Sequence, residues 1–167
     1  MGLLDLFKPL PSAPTIIGIL PEAAKQEIMC GRLPILNTDK LFLKQDEFCH
    51  YVEKAVYEKK TVKKSYVRKN AGYSVPGLFK GTRVNLGGGV TDVKENDQYE
   101  LFRGILYITN KRVIFVGEAC GFDRDLNDLV ALTPYANCVE LQFSKENYKI
   151  FVPDGNIVHK VLQITNR

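Results

Sequence analysis

The sequence predicts a mainly β fold: an antiparallel sandwich or barrel capped by a C-terminal helix, with a short N-terminal helical extension. Three observations lead to this prediction. Short apolar segments of period two recur between turn residues over much of the chain. A strongly apolar β-hairpin is indicated from Gly104 to Gly117. Near the C-terminal end, Asp154–Thr165 carries apolar side chains at helical spacing, with Asp154 as a plausible N-cap.

The hairpin consists of two apolar runs, Ile105–Ile108 and Val113–Val116, joined by Thr-Asn-Lys-Arg. Its β-branched and aromatic residues fit a pleated, half-buried surface. In the turn, Asn110 is expected to adopt a positive φ, which asparagine tolerates well. Both faces of the two runs are largely apolar, so the rest of the chain is expected to cover them.

This hairpin carries a resemblance to a known group of domains. Its pattern, Gly-x-Leu-x-Ile-Thr-Asn-x-Arg-Val-x-Phe over residues 104–115, resembles the central hairpin of bacterial pleckstrin-homology-like (PH-like) and GRAM-like domains. The segments Phe122–Leu129 and Tyr135–Leu141 are similar to the strands that follow in those domains. The resemblance covers roughly the last two-thirds of the chain. It implies a β barrel with a terminal helix at one open end, on a scaffold that serves many unrelated functions.

Two regions are predicted along the chain: an N-terminal extension over residues 1–43 and a PH-like β domain over residues 44–167. Within the extension, Pro21–Cys30 is predicted as a helix, because Pro21 suits the first turn and Gly31 follows the last one. Leu33–Leu43 is predicted as a connector. At the N-terminus, Leu3, Leu4, Leu6 and Phe7 form a short apolar turn before three prolines. This turn is expected to pack on its own domain, and the alternative is a docking element for a membrane or a partner.

The β domain is predicted to begin with a long strand from Glu47 toward Val62. A double lysine is expected to separate it from a second strand, Ser65–Lys69, which ends in a turn at Asn70–Gly72. The glycine-rich stretch Gly81–Gly89 is predicted as a flexible hairpin tip, because it lacks the residues of a phosphate-binding loop. The other predicted strands are Phe79–Leu86, a long strand from Tyr99 into the hairpin, Phe122–Leu126, Leu129–Leu132, Val139–Phe143 and Tyr148–Val152.

Positive charge is concentrated in one part of the chain. The formal net charge of the 167 residues is +4, yet the segment from Lys54 to Arg83 alone carries +8 and the remainder −4. Within that segment, Lys63, Lys64, Arg68 and Lys69 are candidate residues for binding anionic lipid or another polyanion. The alternative is a solvated strand face that lysines protect against aggregation. Weak nucleic-acid binding through residues 54–83 would use Tyr57, Tyr66 and Tyr73 as stacking residues.

The sequence indicates no catalytic site and no cofactor. It lacks the GxSxG and HExxH motifs, and His50 and His159 are isolated from each other. The cysteines at 30, 49, 120 and 138 form no CxxC pair, so all four are predicted as small buried residues in a reducing cytosol. Asp123, Asp125 and Asp128 lack the glycine and glutamate of a calcium loop and are predicted as solvated turn residues. No metal site is predicted.

These observations favour a non-enzymatic binding module, cytoplasmic and in secondary contact with a membrane surface. Its expected ligand is a protein partner, a second copy of the chain, or an anionic surface such as lipid headgroups. Nucleic-acid binding through the basic strands is the alternative function, and an enzyme with a pocket invisible in the sequence ranks lowest.

Overall fold

The computed structural model describes residues 13–76 and 83–167, with their side chains at 13–67 and 91–167. It confirms the predicted mainly β fold with antiparallel pairing, a C-terminal helix and a short N-terminal helix. Seven strands form one sheet in the order β4-β3-β2-β1-β7-β6-β5. The elements are α1 (Glu22–Met29), β1 (Cys49–Pro76), β2 (Arg83–Thr109), β3 (Arg112–Gly117), β4 (Gly121–Asp125), β5 (Leu129–Pro134), β6 (Cys138–Phe143), β7 (Asn147–Phe151) and α2 (Gly155–Thr165), with a 3-10 turn at Leu126–Asp128.

The chain divides into two compact units, because β1 and β2 are much longer than the other strands. One unit comprises the chain up to Lys59 together with Leu101–Arg167, and the other comprises Lys60–Glu100. The predicted boundary between residues 43 and 44 stays a prediction.

The core of the first unit lies between the sheet and the helices. The predicted hairpin is confirmed, with Leu106 paired to Phe115 and Ile108 to Val113, and all four side chains are buried. Tyr57, Phe115, Phe122 and Tyr148 form an aromatic cluster in which the last two rings stack at 4.0 Å. On the opposite face, Tyr107 and Ile114 pack with Cys49. The hairpin is therefore packed on both faces, although Val116 on the second face is 49% exposed.

Helix α2 closes this core. Its buried residues include Val158, Val161 and Leu162, and it packs on β5, β6 and α1. The predicted N-cap is confirmed, because the Asp154 carboxylate accepts from the Asn156 N–H at 2.9 Å. The short helix α1 contributes Ala24 and Ile28 to the same core, so neither helix stands alone.

In the second unit the predicted boundaries of strands and turns are wrong in three places. Ser65–Lys69 continues β1 instead of forming a separate strand, Asn70–Gly72 lies within β1 instead of in a turn, and Gly87–Gly89 lies within β2 instead of at a hairpin tip. Where side chains are described, at residues 60–67 and 91–100, both strands carry mostly exposed side chains on each face, so an apolar alternation is not required there. A segment whose sequence shows no apolar alternation can therefore still be part of a strand.

Candidate ligand-binding groove

A groove of about 860 Å³ lies on the first unit. One wall is the extended segment around Thr15–Ile17, and the floor is formed by β1, β2 and β3. Its apolar lining includes Ile16, Ile17, Leu101, Ile105, Tyr107 and Val116. Three cationic residues, Lys40, Lys54 and Arg103, line it as well, together with one carboxylate, Glu118.

Strand geometry explains why these side chains meet. Residues at even separations on a strand share a face, so Arg103, Ile105 and Tyr107 of β2 point to the same side. Ile105 pairs with Val116 of β3, which extends the apolar floor across two strands. The intervening Leu106 points to the buried core instead. One face of the hairpin therefore builds the core and the other builds the groove.

Gly104 allows the close approach of β2 and β3 on the core face of the hairpin. A Cβ atom at this position would lie 2.6 Å from Cζ of Phe115 and 2.9 Å from Cα of Gly117. Real Cβ atoms do not approach so closely, so any other residue would push β2 and β3 apart locally.

A buried carboxylate fixes the wall of the groove. Glu53 is 2% exposed and accepts from the backbone N–H groups of Ile19 at 2.5 Å and Leu20 at 3.3 Å. Next to these bonds, Ile16 packs against Val56 and Phe151. These contacts satisfy a buried charge and attach the segment before α1 to the centre of the sheet.

The cations of the groove have no side-chain partner among the described residues. Lys40, Lys54 and Arg103 are exposed, and none of their side chains makes an ion pair or hydrogen bond in the part of the chain that the structure describes. With Glu118 counted, the lining carries a net positive charge. The groove thus combines an apolar floor with an excess of unpaired positive charge.

A second polar cluster forms at the turn of the β2–β3 hairpin. Glu47 is 4% exposed and accepts from Arg112 Nε at 2.7 Å, from Thr109 Oγ1 at 2.7 Å and from the Lys44 N–H at 2.7 Å. Burial by itself raises the pKa of Glu47, but the hydrogen bonds from Arg112, Lys44 and Thr109 outweigh it and lower the pKa to about 2. The hydrogen bonds that this carboxylate accepts join the hairpin turn to the segment before β1, so the cluster is structural.

The neighbouring Asn110 differs from its expected conformation. Among the described non-glycine residues the positive φ, 57°, belongs to Asp46 and not to Asn110. Asn110 acts through its side chain, which accepts from the Phe48 N–H at 2.8 Å and donates to the Asp46 carbonyl at 2.9 Å. Its amide therefore joins the hairpin turn to the start of β1.

The candidate anion-binding residues lie in the second unit, outside the groove. Lys63 and Lys64 are exposed on β1, and Lys64 Nζ lies 3.3 Å from Glu95 Oε1 of β2. The side chains of Arg68 and Lys69 lie outside the described residues, and so do Leu3, Leu4, Leu6 and Phe7, so their assigned roles stay predictions. Four lysines and four carboxylates occur in residues 60–67 and 91–100 taken together, so this part of the basic segment is neutralised by β2.

Other candidate residues are placed as follows. Tyr57 is buried in the aromatic cluster and cannot stack on a nucleic-acid base, whereas Tyr66 is exposed and Tyr73 lies outside the described side chains. His50 is buried, with Nδ1 2.7 Å from the Pro34 carbonyl, a structural contact. All four cysteines are free, but the prediction that all are buried is wrong: Cys49 and Cys138 are buried, Cys120 is half-buried and Cys30 is exposed at the end of α1.

Asp123 and Asp125, predicted as solvated turn residues, are exposed residues of β4. Asp123 pairs with Arg112 at 2.5 Å, and Asp125 accepts from the Asn127 N–H. Within residues 13–76 and 83–167, no three His, Cys, Asp or Glu side chains are grouped so as to hold a metal ion.

Sequence reasoning missed Lys40 and Arg103 as site residues. Lys40 lies in a connector with no periodicity, so nothing in the sequence places it near β2. Arg103 carries a weak signal, because its even spacing from Ile105 and Tyr107 puts it on the same face of a predicted strand.

Comparison with known proteins adds no identification. The sequence matches no protein-family model, and no curated protein is significantly similar to it. In the described part of the chain, no helix has both the length and the apolarity needed to span a membrane.

Proposed function

We propose that this protein is a non-enzymatic, cytoplasmic binding module of the PH-like group, and that its groove holds a short acidic and apolar segment of a partner protein. The observation that carries the proposal is the groove itself, in which three cations without an ion pair or hydrogen bond to the described residues border an apolar floor. The PH-like assignment rests on the hairpin motif of residues 104–115 together with the C-terminal helix.

The size and shape of the groove favour a segment of a protein over a membrane surface. Its volume of about 860 Å³ falls in the range of sites that enclose a ligand. A flat bilayer would meet the rims of such a concavity and leave the floor at Ile105 and Val116 unfilled. An extended peptide, in contrast, places alternate side chains on the floor and the others at the rim.

The charges of the groove specify the chemistry of the segment. Lys54 and Arg103 lie at a concave, partly apolar surface, where attraction to a carboxylate is stronger than on an open surface. Glu118 also lines the groove and repels acidic groups of a ligand, but only near its own position. The preferred ligand therefore carries more than one carboxylate and alternates them with apolar side chains.

The proposal is tested by titrating the protein with a synthetic peptide of alternating glutamate and leucine, followed by NMR of the labelled protein. We expect shifts at the groove, and the combined variant Lys54→Glu with Arg103→Glu should weaken binding by about tenfold or more, since each ion pair contributes up to about 1 kcal/mol. Lys145→Glu is the matched control: it reverses an exposed lysine in the β6–β7 loop, outside the groove, and should leave the affinity unchanged.

Three results would overturn the proposal. If a peptide of alternating lysine and leucine binds as tightly as the acidic peptide, the charges of the groove do not select the ligand. If the double variant binds the acidic peptide as tightly as the native protein, the groove is not the binding site. Binding of phosphatidylglycerol vesicles or of a single-stranded oligonucleotide, lost in the double variant while the acidic peptide does not bind, assigns the groove to an anionic surface or to nucleic acid instead.

A further inference from the structure

Residues 13–20, here called the strap, pass from one face of the sheet to the other beside β1. On the groove side, Ile16 packs with Val56 of β1. At the other end of the strap, Leu20 belongs to the core cluster that contains Ala55. Val56 and Ala55 are neighbours on one strand, so their side chains point to opposite faces of the sheet. The strap therefore connects the wall of the groove directly to the core.

Few contacts hold the strap in place. Its backbone forms no hydrogen bond with the backbone of any other described segment. Its hydrogen bonds to described residues go to one carboxylate, Glu53, which accepts from the backbone N–H groups of Ile19 and Leu20. Ile17 and Ile19 are 79% and 43% exposed, so their side chains add little packing. A segment with so few buried contacts opens at a lower free-energy cost than a strand paired within the sheet.

The carboxylate that holds the strap lies among apolar side chains. Tyr51 and Ala55, which share a face of β1 with Glu53, both belong to the core. Glu53 accepts a third hydrogen bond, at 3.0 Å, from the backbone N–H of Lys54, whose side chain lines the groove. Gly18 lets the strap approach the carboxylate, because a Cβ atom there would lie 3.1 Å from Oε2 of Glu53. Since a buried carboxylate is costly without donors, the strap stabilises Glu53 as much as Glu53 fixes the strap.

We propose that Glu53 is a positioning residue that latches the strap closed, and that closure of the strap and binding of a ligand in the groove favour each other. This inference rests on the proposed function, because the ligand is the acidic and apolar segment described above. Ile16 and Ile17 of the closed strap line the groove, so a ligand that contacts both strap and floor binds the closed state more tightly than the open one. Weakening the latch lowers the closed fraction, and the apparent affinity falls by the same factor.

The latch is tested without a ligand, by NMR hydrogen exchange of single backbone amides in the complete protein. We expect the amides of Ile19 and Leu20 to exchange much faster than those of β6, because the strap opens while the sheet stays folded. In Glu53→Gln they should exchange about tenfold faster still, since a neutral amide replaces an acceptor of charge-assisted hydrogen bonds. Exchange of the two native amides at the rate of β6, or no acceleration in Glu53→Gln, would overturn the latch.

The coupling is tested with the peptide of alternating glutamate and leucine. Free peptide at about a hundred times its Kd should slow exchange at Ile19 and Leu20 of the native protein by about a hundredfold, because it binds the closed state. Glu53→Gln should weaken binding of the peptide by about threefold or more, since part of the protein is then open. Unchanged exchange at both amides in the presence of bound peptide would overturn the coupling.

Two further variants separate the latch from general stability. Val158→Ala removes buried atoms from α2, outside the groove, so it should lower the Tm and leave the affinity unchanged. Equal weakening by Val158→Ala and Glu53→Gln would overturn the role of Glu53. Gly18→Val, at an exposed position, pushes the strap away from the carboxylate and should weaken binding even if Glu53→Gln does not fold, and a native affinity in this variant overturns the proposal. If the native protein does not bind the acidic peptide, the proposed function and the coupling both fail, while exchange without peptide still decides whether Glu53 latches the strap.

Discussion

The buried carboxylate of Glu47 holds the start of β1 against the turn of the central hairpin. Its oxygens accept two hydrogen bonds from Arg112, one from Thr109 and one from the backbone N–H of Lys44. The residue is 4% exposed. Removing the charge would leave Arg112 buried without its main partner, although Asp123 stays in contact with it. Thr109 and Arg112, whose side chains make this contact, both belong to the pattern of residues 104–115 that resembles the hairpin of PH-like domains.

Glu47→Gln should destabilise the fold at neutral pH by on the order of 3 kcal/mol, the value that corresponds to a pKa lowered from 4.5 to about 2. Because the folded-state pKa is lower than the unfolded one, this contribution is complete above a pH of about 4.5 and disappears as the pH falls toward 2. Urea unfolding of both proteins across that interval measures it. The two stabilities should converge at low pH, and parallel curves would contradict the account.

At the scale of elements, α2 is the part that completes the core of the first unit. Val158 and Val161 are fully buried, and the helix also contacts α1, which supplies Ile28. A helix of 11 residues has little stability of its own in water, so its formation depends on this packing.

Val161→Asp should lower the free energy of unfolding by more than about 3 kcal/mol, because it places an unpaired charge in an apolar core. Gln163→Asp is the control: it adds the same charge to an exposed position of the same helix and should change stability little. Thermal unfolding followed by circular dichroism measures both. A Val161→Asp protein that melts at the parent temperature would show that α2 does not close the core.

The elements that sequence reasoning found are those with local signals. The central hairpin has two apolar runs around a polar turn, and α2 has a cap at Asp154 and an apolar stripe, so each is encoded within a few residues. The continuity of β1 was missed because Lys63-Lys64 and Asn70–Gly72 interrupt the apolar alternation by which a strand is recognised in a sequence. The groove was missed because Lys40, Lys54 and Arg103 are distant in sequence and meet only through tertiary structure.

At the scale of the whole molecule, the two units differ in what stabilises them. The first contains every buried side chain that the structure describes. The second is stabilised by backbone pairing and by exposed ion pairs such as Lys60–Asp97, which contribute about 1 kcal/mol or less. Stability is therefore unequal along β1, which changes at Lys59 from a covered strand to a solvated one.

Hydrogen exchange measured by mass spectrometry should show this difference. We expect backbone amides of residues 60–67 to exchange much faster than those of β6, since opening β1 and β2 there exposes no buried side chain that the structure describes. Equal protection of residues 60–67 and β6 would contradict the expected difference in stability.

The position of β1 in the sheet also has a consequence for synthesis of the chain. β1 lies between β2 and β7, and its pairs with β7, such as Val56 with Phe151, join residues more than ninety positions apart. On the ribosome, β1 and the hairpin emerge long before β7 exists, so one edge of β1 stays unpaired during most of translation. Over that time the nascent chain exposes an apolar strand edge at Val56 and Tyr57, the segment at which we expect chaperones to bind.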